Sequence, residues 1–216
     1  MTTDFFCKNI KRIAVGLAAL VFCFCLLFAG TIKDCVYVEG KKFYFVSVSD
    51  GGLQACAAQV ALDGGAGYVF QDKVVVSAYF SIDEAQKVAK NIQNDYSSAE
   101  VGVLSVGGIM VPSAKKKETE EMLKNLYGHI QETSAVADGL SDGKTQSWAK
   151  RKLLALRESY DVLSKTYTQD GFADICKKAC RWIDEKVGGV IYSRDVRFLV
   201  CRLAEDFSSF VRGLGI

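Results

Sequence analysis

The feature that most constrains this chain is a run of twenty residues near its N-terminus, 13–32, that contains no charged side chain. A helix rises about 1.5 Å per residue, so a run of this length spans the roughly 30 Å hydrocarbon core of a bilayer. Three basic residues precede the run, whereas the opposite charges of the lysine and the aspartate that follow it cancel each other. The positive-inside rule therefore predicts a single-pass cell-membrane protein, with residues 1–12 in the cytoplasm and everything after residue 32 outside.

Three other interpretations of this run fit it less well. A cleaved signal peptide needs a small residue at position −3, and cleavage after Ala29 or Gly30 would place Leu27 or Phe28 there. A lipid-modified N-terminus needs a cysteine directly after the small residues, where Thr31 stands. A buried core helix would keep a polar face, which the run lacks. We therefore expect the segment to be retained as a transmembrane anchor.

The composition limits the chemistry available to the rest of the chain. The 216 residues include one histidine, and the formal net charge is only +2. Multi-histidine zinc sites need more than one histidine, and a strongly basic nucleic-acid binder would carry a larger positive charge. The glycine-rich stretch 64–67 lacks the Lys-Ser/Thr of a phosphate-binding loop. We predict that the chain is not an enzyme, binds no nucleic acid and uses no metal or cofactor.

Residues 33–108 alternate between short strands and helices in the way that is typical of an α+β domain. Aromatic and β-branched runs predict strands at 42–48, 67–70, 73–80 and 100–106. Helical spacing predicts a helix after the first strand and another after the third, the latter begun by a capping box of Ser81 and Glu84. The order β-α-β-β-α-β predicts a ferredoxin-like antiparallel sheet with both helices on one face. The other face would be open as a binding surface.

The same residues resemble the SPOR (sporulation-related repeat) family of bacterial envelope domains. The family's x-V-x-V-G-P-F-x-S-x-E-E-A stretch is similar to residues 74–85 (VVVSAYFSIDEA), and Gly67-Tyr68 matches the start of its second strand. Ser77 and Ala78 replace the family's Gly-Pro. The resemblance covers about 70 residues. It implies a module that binds peptidoglycan glycan strands, preferentially those stripped of stem peptides, in cell division or sporulation.

Strand alternation selects the side chains that would contact glycan. One set of rows is uniformly apolar and is expected to pack under the two helices: Tyr44, Val46, Val48, Val74, Val76 and Ala78. The opposite rows mix aromatic, hydroxyl and basic groups and supply the candidate binding residues: Phe45, Ser47, Lys73, Val75 and Ser77. Aromatic rings stack on sugar C–H groups, and hydroxyl and ammonium groups bond sugar hydroxyls. The alternative is that Phe45 and Val75 pack against the C-terminal helices.

The remainder of the chain switches to a helical period after its only proline, Pro112. Residues 109–114 are predicted to be a linker, and 115–216 an all-α unit of four amphipathic helices in an antiparallel bundle. Its residues carry no chemical signature, so an interaction or spacer role is expected. The SPOR resemblance implies septal or sporulation proteins as its partners. The alternative function for the whole chain is a non-enzymatic envelope scaffold whose two units both bind other proteins.

Five cysteines follow the predicted anchor: Cys35, Cys56, Cys176, Cys180 and Cys201. An odd number argues against a complete disulfide framework. Cys176 and Cys180 are one helical turn apart, which separates their Cβ atoms by about 5–6 Å, whereas a disulfide needs roughly 3.5–4.5 Å. Buried free thiols are expected. The alternatives are a bridge from Cys201 to Cys176 or Cys180, and a zinc site that adds His129 to these three cysteines.

Overall fold

The computed structural model describes residues 34–96 and 98–214. The strands are β1 Cys35–Val38, β2 Lys42–Ser49, β3 Tyr68–Phe70, β4 Lys73–Tyr79, β5 Ser98–Ser105 and β6 Ile109–Pro112. The helices are α1 Leu53–Leu62, α2 Ile82–Ile92, α3 Lys116–Ser141, α4 Gln146–Thr166, α5 Asp170–Lys186 and α6 Ser193–Leu214, and a 3-10 turn, Ser113–Lys115, precedes α3. Helices α3 to α6 occupy the positions of the four apolar stripes in the sequence.

Four strands form an antiparallel sheet in the order β3-β4-β2-β5. Between β2 and β5 the elements follow the predicted β-α-β-β-α-β order, with α1 and α2 as the crossovers. Both crossover helices pack on one face of the sheet, where Val46, Val48 and Val74 are buried beneath them. The two rows of β2 side chains therefore lie on the faces of the sheet that alternation predicted for them.

A β-bulge in β4 changes which of its side chains share a face. Val46 pairs with Ser77 but Ser47 pairs with Val75, so Val76 is the extra residue. Beyond the bulge the alternation is shifted by one position. Ala78, predicted to lie under α1 and α2, pairs with Phe45 instead and joins the core shared with the C-terminal helices. The prediction for the second half of β4 is wrong for this reason.

Helices α3 and α6 cover much of the sheet face that was expected to be open. The Phe43 ring lies edge-on against Phe207 of α6, with ring centroids 5.7 Å apart, and contacts Tyr127 of α3 at 5.1 Å. Phe45 is 3% exposed and Val75 is 1% exposed. One cluster of buried side chains extends from the sheet through all four C-terminal helices. The prediction of an open face is wrong here. The row of apolar side chains on this face is too large to be left in water, so it packs against a layer of helices.

The four C-terminal helices form a closed ring in which each helix contacts two others: α3 with α4, α4 with α5, α5 with α6, and α6 with α3. At the centre the Tyr160 hydroxyl lies 3.0 Å from that of Thr133. Cys176 and Cys201 are buried free thiols. Burial raises the pKa of Cys176 to about 12 and that of Cys201 further above its ordinary value. Both thiols are therefore protonated and inert at neutral pH.

The predicted fold class, a membrane helix, a ferredoxin-like domain and a C-terminal all-α bundle, needs correction. No helix among the described residues has the length and apolar character needed to cross a membrane. The predicted anchor at 13–32 and tail at 1–12 lie outside those residues. The described chain is an α+β fold with a second sheet that was not predicted, in which β1 pairs with β6. The bundle shares its core with the larger sheet instead of standing apart, and residues 109–114 contain β6.

Candidate functional site

A groove with a volume of about 480 Å³ opens between the larger sheet and the second half of α6. Cavities of this size are typical of small-ligand sites. Four of the five side chains predicted to contact glycan line it: Phe45, Ser47, Lys73 and Val75. The fifth, Ser77, does not, because the bulge in β4 pairs it with Val46 on the α1–α2 face, where it is buried. Of these four side chains only Lys73 is well exposed; Phe45, Ser47 and Val75 are nearly buried and form the floor of the groove.

The groove exists because Gly102 of β5 has no side chain. Gly102 pairs with Phe45, and directly paired residues project to the same face of a sheet. The nearest atom to a Cβ added at Gly102 would be the Phe45 carbonyl oxygen, at 3.9 Å. The Phe45 ring lies beneath this gap and is held edge-on by Phe70, with centroids 5.4 Å apart. A larger side chain at position 102 would occupy the groove.

Charged side chains of both signs surround this apolar floor. Lys73 forms an ion pair with Glu100 across the end of β2, and both side chains are about half exposed, at 48% and 51%. On the α6 side, Glu205 accepts a hydrogen bond from the Tyr68 hydroxyl. Burial, together with this carboxylate, raises the pKa of Tyr68 well above its ordinary value, so the hydroxyl remains a donor. Arg212, in the last turn of α6, adds a second cation to the lining.

Gln71 lies at the mouth of the groove in a strained backbone conformation. It is the first residue of the two-residue turn between β3 and β4, and its φ is +54°. It is the one non-glycine residue in the described part of the chain with a positive φ. The left-handed region costs an L-residue roughly 1–2 kcal/mol. Glycine would avoid this cost, so the presence of a glutamine with its amide at a cavity favours a functional role.

Sequence reasoning missed the other eight residues that line the groove: Val69, Phe70, Gln71, Gly102, Val103, Leu104, Glu205 and Arg212. Gln71 and Gly102 lie within the segment that the sequence identified, and a two-residue turn next to the candidate strand was the available signal for Gln71. Glu205 and Arg212 gave no signal, because they come from α6. Tyr68 and its partner Glu205 are 137 residues apart.

The lining favours a polyhydroxylated ligand with a small negative charge. It combines a hydroxyl, an amide, two cations and a carboxylate with an aliphatic and aromatic floor, so its cations outnumber its carboxylate by one. A purely apolar ligand would leave these polar groups desolvated without partners. Within the described residues no cluster of three or more His, Cys, Asp or Glu side chains is placed to hold a metal ion.

Comparison with known proteins gives no assignment: no protein family, no curated protein and no solved structure matches this chain.

Proposed function

We propose that this protein is a non-catalytic binding protein whose groove between the sheet and α6 holds a short stretch of polysaccharide, with a peptidoglycan glycan strand as its ligand. The observation that carries the proposal is the convergence of Phe45, Ser47, Lys73 and Val75 on one cavity. Strand alternation selected these residues, and the SPOR resemblance supplied the glycan ligand. Their position along a single groove is what a linear sugar polymer requires.

The chemistry of the groove fits glycan strands that have lost their stem peptides. Hydrolysis of the amide that joins the stem peptide to the lactyl group leaves a carboxylate on every second sugar. Arg212 supplies a cation on the α6 side of the groove that can pair with such a carboxylate, whereas Lys73 already forms an ion pair with Glu100. Gln71 and Ser47 can bond sugar hydroxyls and acetamido groups. The SPOR resemblance points to the same ligand, and with it to action outside the cell membrane in division or sporulation.

Filling the groove tests the proposal directly. We expect Gly102→Leu in the full chain to weaken binding to amidase-treated sacculi by roughly tenfold or more, a loss of about 1.4 kcal/mol, because the new side chain occupies the ligand's space. The strand should remain folded, since leucine suits a strand better than glycine does. Co-sedimentation with the sacculi measures binding, and far-UV circular dichroism measures folding.

The matched control is Gly128→Leu in α3, the same substitution at a position that does not line the groove. A Cβ added at Gly128 would meet no atom within 4 Å, and leucine suits a helix better than glycine does. Binding should be unchanged in this variant. If Gly102→Leu binds stripped sacculi as well as the unaltered chain does, the groove is not the glycan site.

A second candidate function, as a protein-binding scaffold, is favoured by a different cavity. A cleft of about 380 Å³ lies between α3 and α4 and is mainly apolar, with Val136, Trp148 and Leu156 in its lining. A cleft of this kind suits the apolar face of a partner helix. If the full chain does not bind stripped sacculi at all, this second function is favoured over the first.

A further inference from the structure

The outer edge of β5 is a second feature with the character of a binding surface. β5 is the last strand of the larger sheet and pairs along all eight of its residues with β2. No backbone hydrogen bond joins residues 98–105 to any other segment that the structure describes. Alternate N–H and C=O groups of β5 therefore point away from the sheet, which is the arrangement that accepts another strand.

This edge lacks the features that normally prevent strands from associating. Its sequence, SAEVGVLS, contains no lysine and no proline, and its pairing with β2 has no bulge. Its single charge, Glu100, is paired with Lys73 of β4. The opposite edge strand, β3, has only three residues. Val103 is 53% exposed and would be covered by an added strand.

We propose that β5 pairs antiparallel with β5 of a second copy of the chain, so that the two sheets become one. The two-fold axis passes through Gly102, perpendicular to the sheet, and Val101 of each copy then lies opposite Val103 of the other. Glu100 lies opposite Leu104, so no like charges meet. The same patch serves both copies, which is the property of an isologous dimer interface. This self-complementarity favours a second copy over an unrelated strand.

The pairing would also place two grooves next to each other. Gly102 is on the floor of the groove and at the centre of the β5 edge, so the two-fold axis relates one groove to the other across the shared strands. A linear polymer could then cross both. The dimer itself does not depend on the proposed function, because it is measured without any ligand.

The oligomeric state of the full chain in detergent tests this inference. We expect sedimentation velocity over a dilution series to show a dimer that dissociates on dilution. Val103→Lys should weaken dimerisation by roughly tenfold or more, because it places an ammonium group opposite a valine. Val162→Lys, at a position on α4 that is 61% exposed, is the matched control and should leave dimerisation unchanged. Circular dichroism establishes that both variants are folded.

Crosslinking locates the interface independently of other contacts between chains. Gly102→Cys places two thiols at the proposed axis, and a short thiol-reactive crosslinker should join two chains in this variant more efficiently than in the unaltered chain. Val162→Cys should give no such increase. A chain that is monomeric over the whole dilution series would overturn the proposal. So would a dimer that Val103→Lys and Val162→Lys affect equally, or one that Gly102→Cys does not crosslink.

Discussion

Gln71 combines a left-handed backbone with a side chain that lines a cavity. Its φ of +54° belongs to the first position of a two-residue hairpin turn, where glycine is favoured. The neighbouring Asp72 has no positive φ, so the strain is confined to one residue. A glutamine at a position that glycine would occupy without strain is a good candidate for contact with a ligand.

Gln71→Gly separates stability from binding. We expect the free energy of unfolding to rise by up to about 1 kcal/mol, because glycine adopts the positive φ without the clash at Cβ. Binding to stripped sacculi should weaken, because the amide is lost. Urea denaturation measures the first effect and co-sedimentation the second. Asp72→Gly is the control: glycine there only adds entropy to the unfolded chain, so stability should fall. Equal changes in the free energy of unfolding and in binding for the two substitutions would contradict this account.

Among the elements, α6 forms one side of the groove, and side chains in its first turns attach it to the ends of two other helices. Arg197 donates to the carbonyl oxygen of Gly64, just beyond α1, at 2.8 Å, and to the hydroxyl of Ser141, the last residue of α3, at 3.1 Å. Arg194 donates to the carbonyl of Ala61 in the last turn of α1. Helix C-termini present unpaired carbonyls and a partial negative charge, which cations stabilise. These contacts help to hold α6 in the position that forms one side of the groove.

Arg197→Ala should lower the free energy of unfolding by about 2–3 kcal/mol, because it removes two charge-assisted hydrogen bonds, one of them to the carbonyl oxygen of Gly64. Arg197→Lys should recover only part of this, since a single ammonium group does not reproduce the planar fork of a guanidinium. Arg202→Ala, at an exposed position of the same helix, should change stability by no more than about 0.5 kcal/mol. Chemical denaturation compares the three. A loss in Arg197→Ala no larger than in Arg202→Ala would show that these bonds do not anchor α6.

At the scale of the whole molecule, the sheet and the bundle depend on the same buried side chains. Phe43, Phe45, Val75 and Ala78 belong to one core with residues of α3 and α6. Burial of a phenylalanine or valine side chain contributes about 1.5–3 kcal/mol. Exposing the first three of these side chains would therefore cost about 4.5–9 kcal/mol, which is comparable with the 5–15 kcal/mol net stability of a typical domain.

A fragment of residues 34–112 should therefore fail to fold cooperatively. Without α3 and α6, its sheet would expose the rings of Phe43 and Phe45 to water. We expect strong binding of a hydrophobic dye and no sharp thermal transition, whereas residues 34–214 should bind little dye and melt in one step. A sharp transition in the short fragment would show that the sheet and the bundle are separate folding units after all.

The sequence alone determined the local elements of this protein. The predicted strands at 42–48 and 73–80 correspond closely to Lys42–Ser49 and Lys73–Tyr79, and four apolar stripes predicted four helices. These predictions succeed because side chains return to the same face about every 2 residues in a strand and about every 3.6 residues in a helix. A buried face therefore leaves that period in the sequence. β1 and β6 were missed, because strands of four residues carry too little pattern and each depends on a partner far along the chain.

Only the tertiary structure decided which faces are covered and where the candidate site lies. The bulge at Val76 moved Ser77 out of the predicted row, and α6 buried much of the face that alternation left open. The same helix brought Glu205 and Arg212 to the groove. Alternation identifies the two faces of a strand, but whether a face meets water, a ligand or another helix depends on how surfaces far apart in the chain fit together. Local periodicity contains no information on that fit.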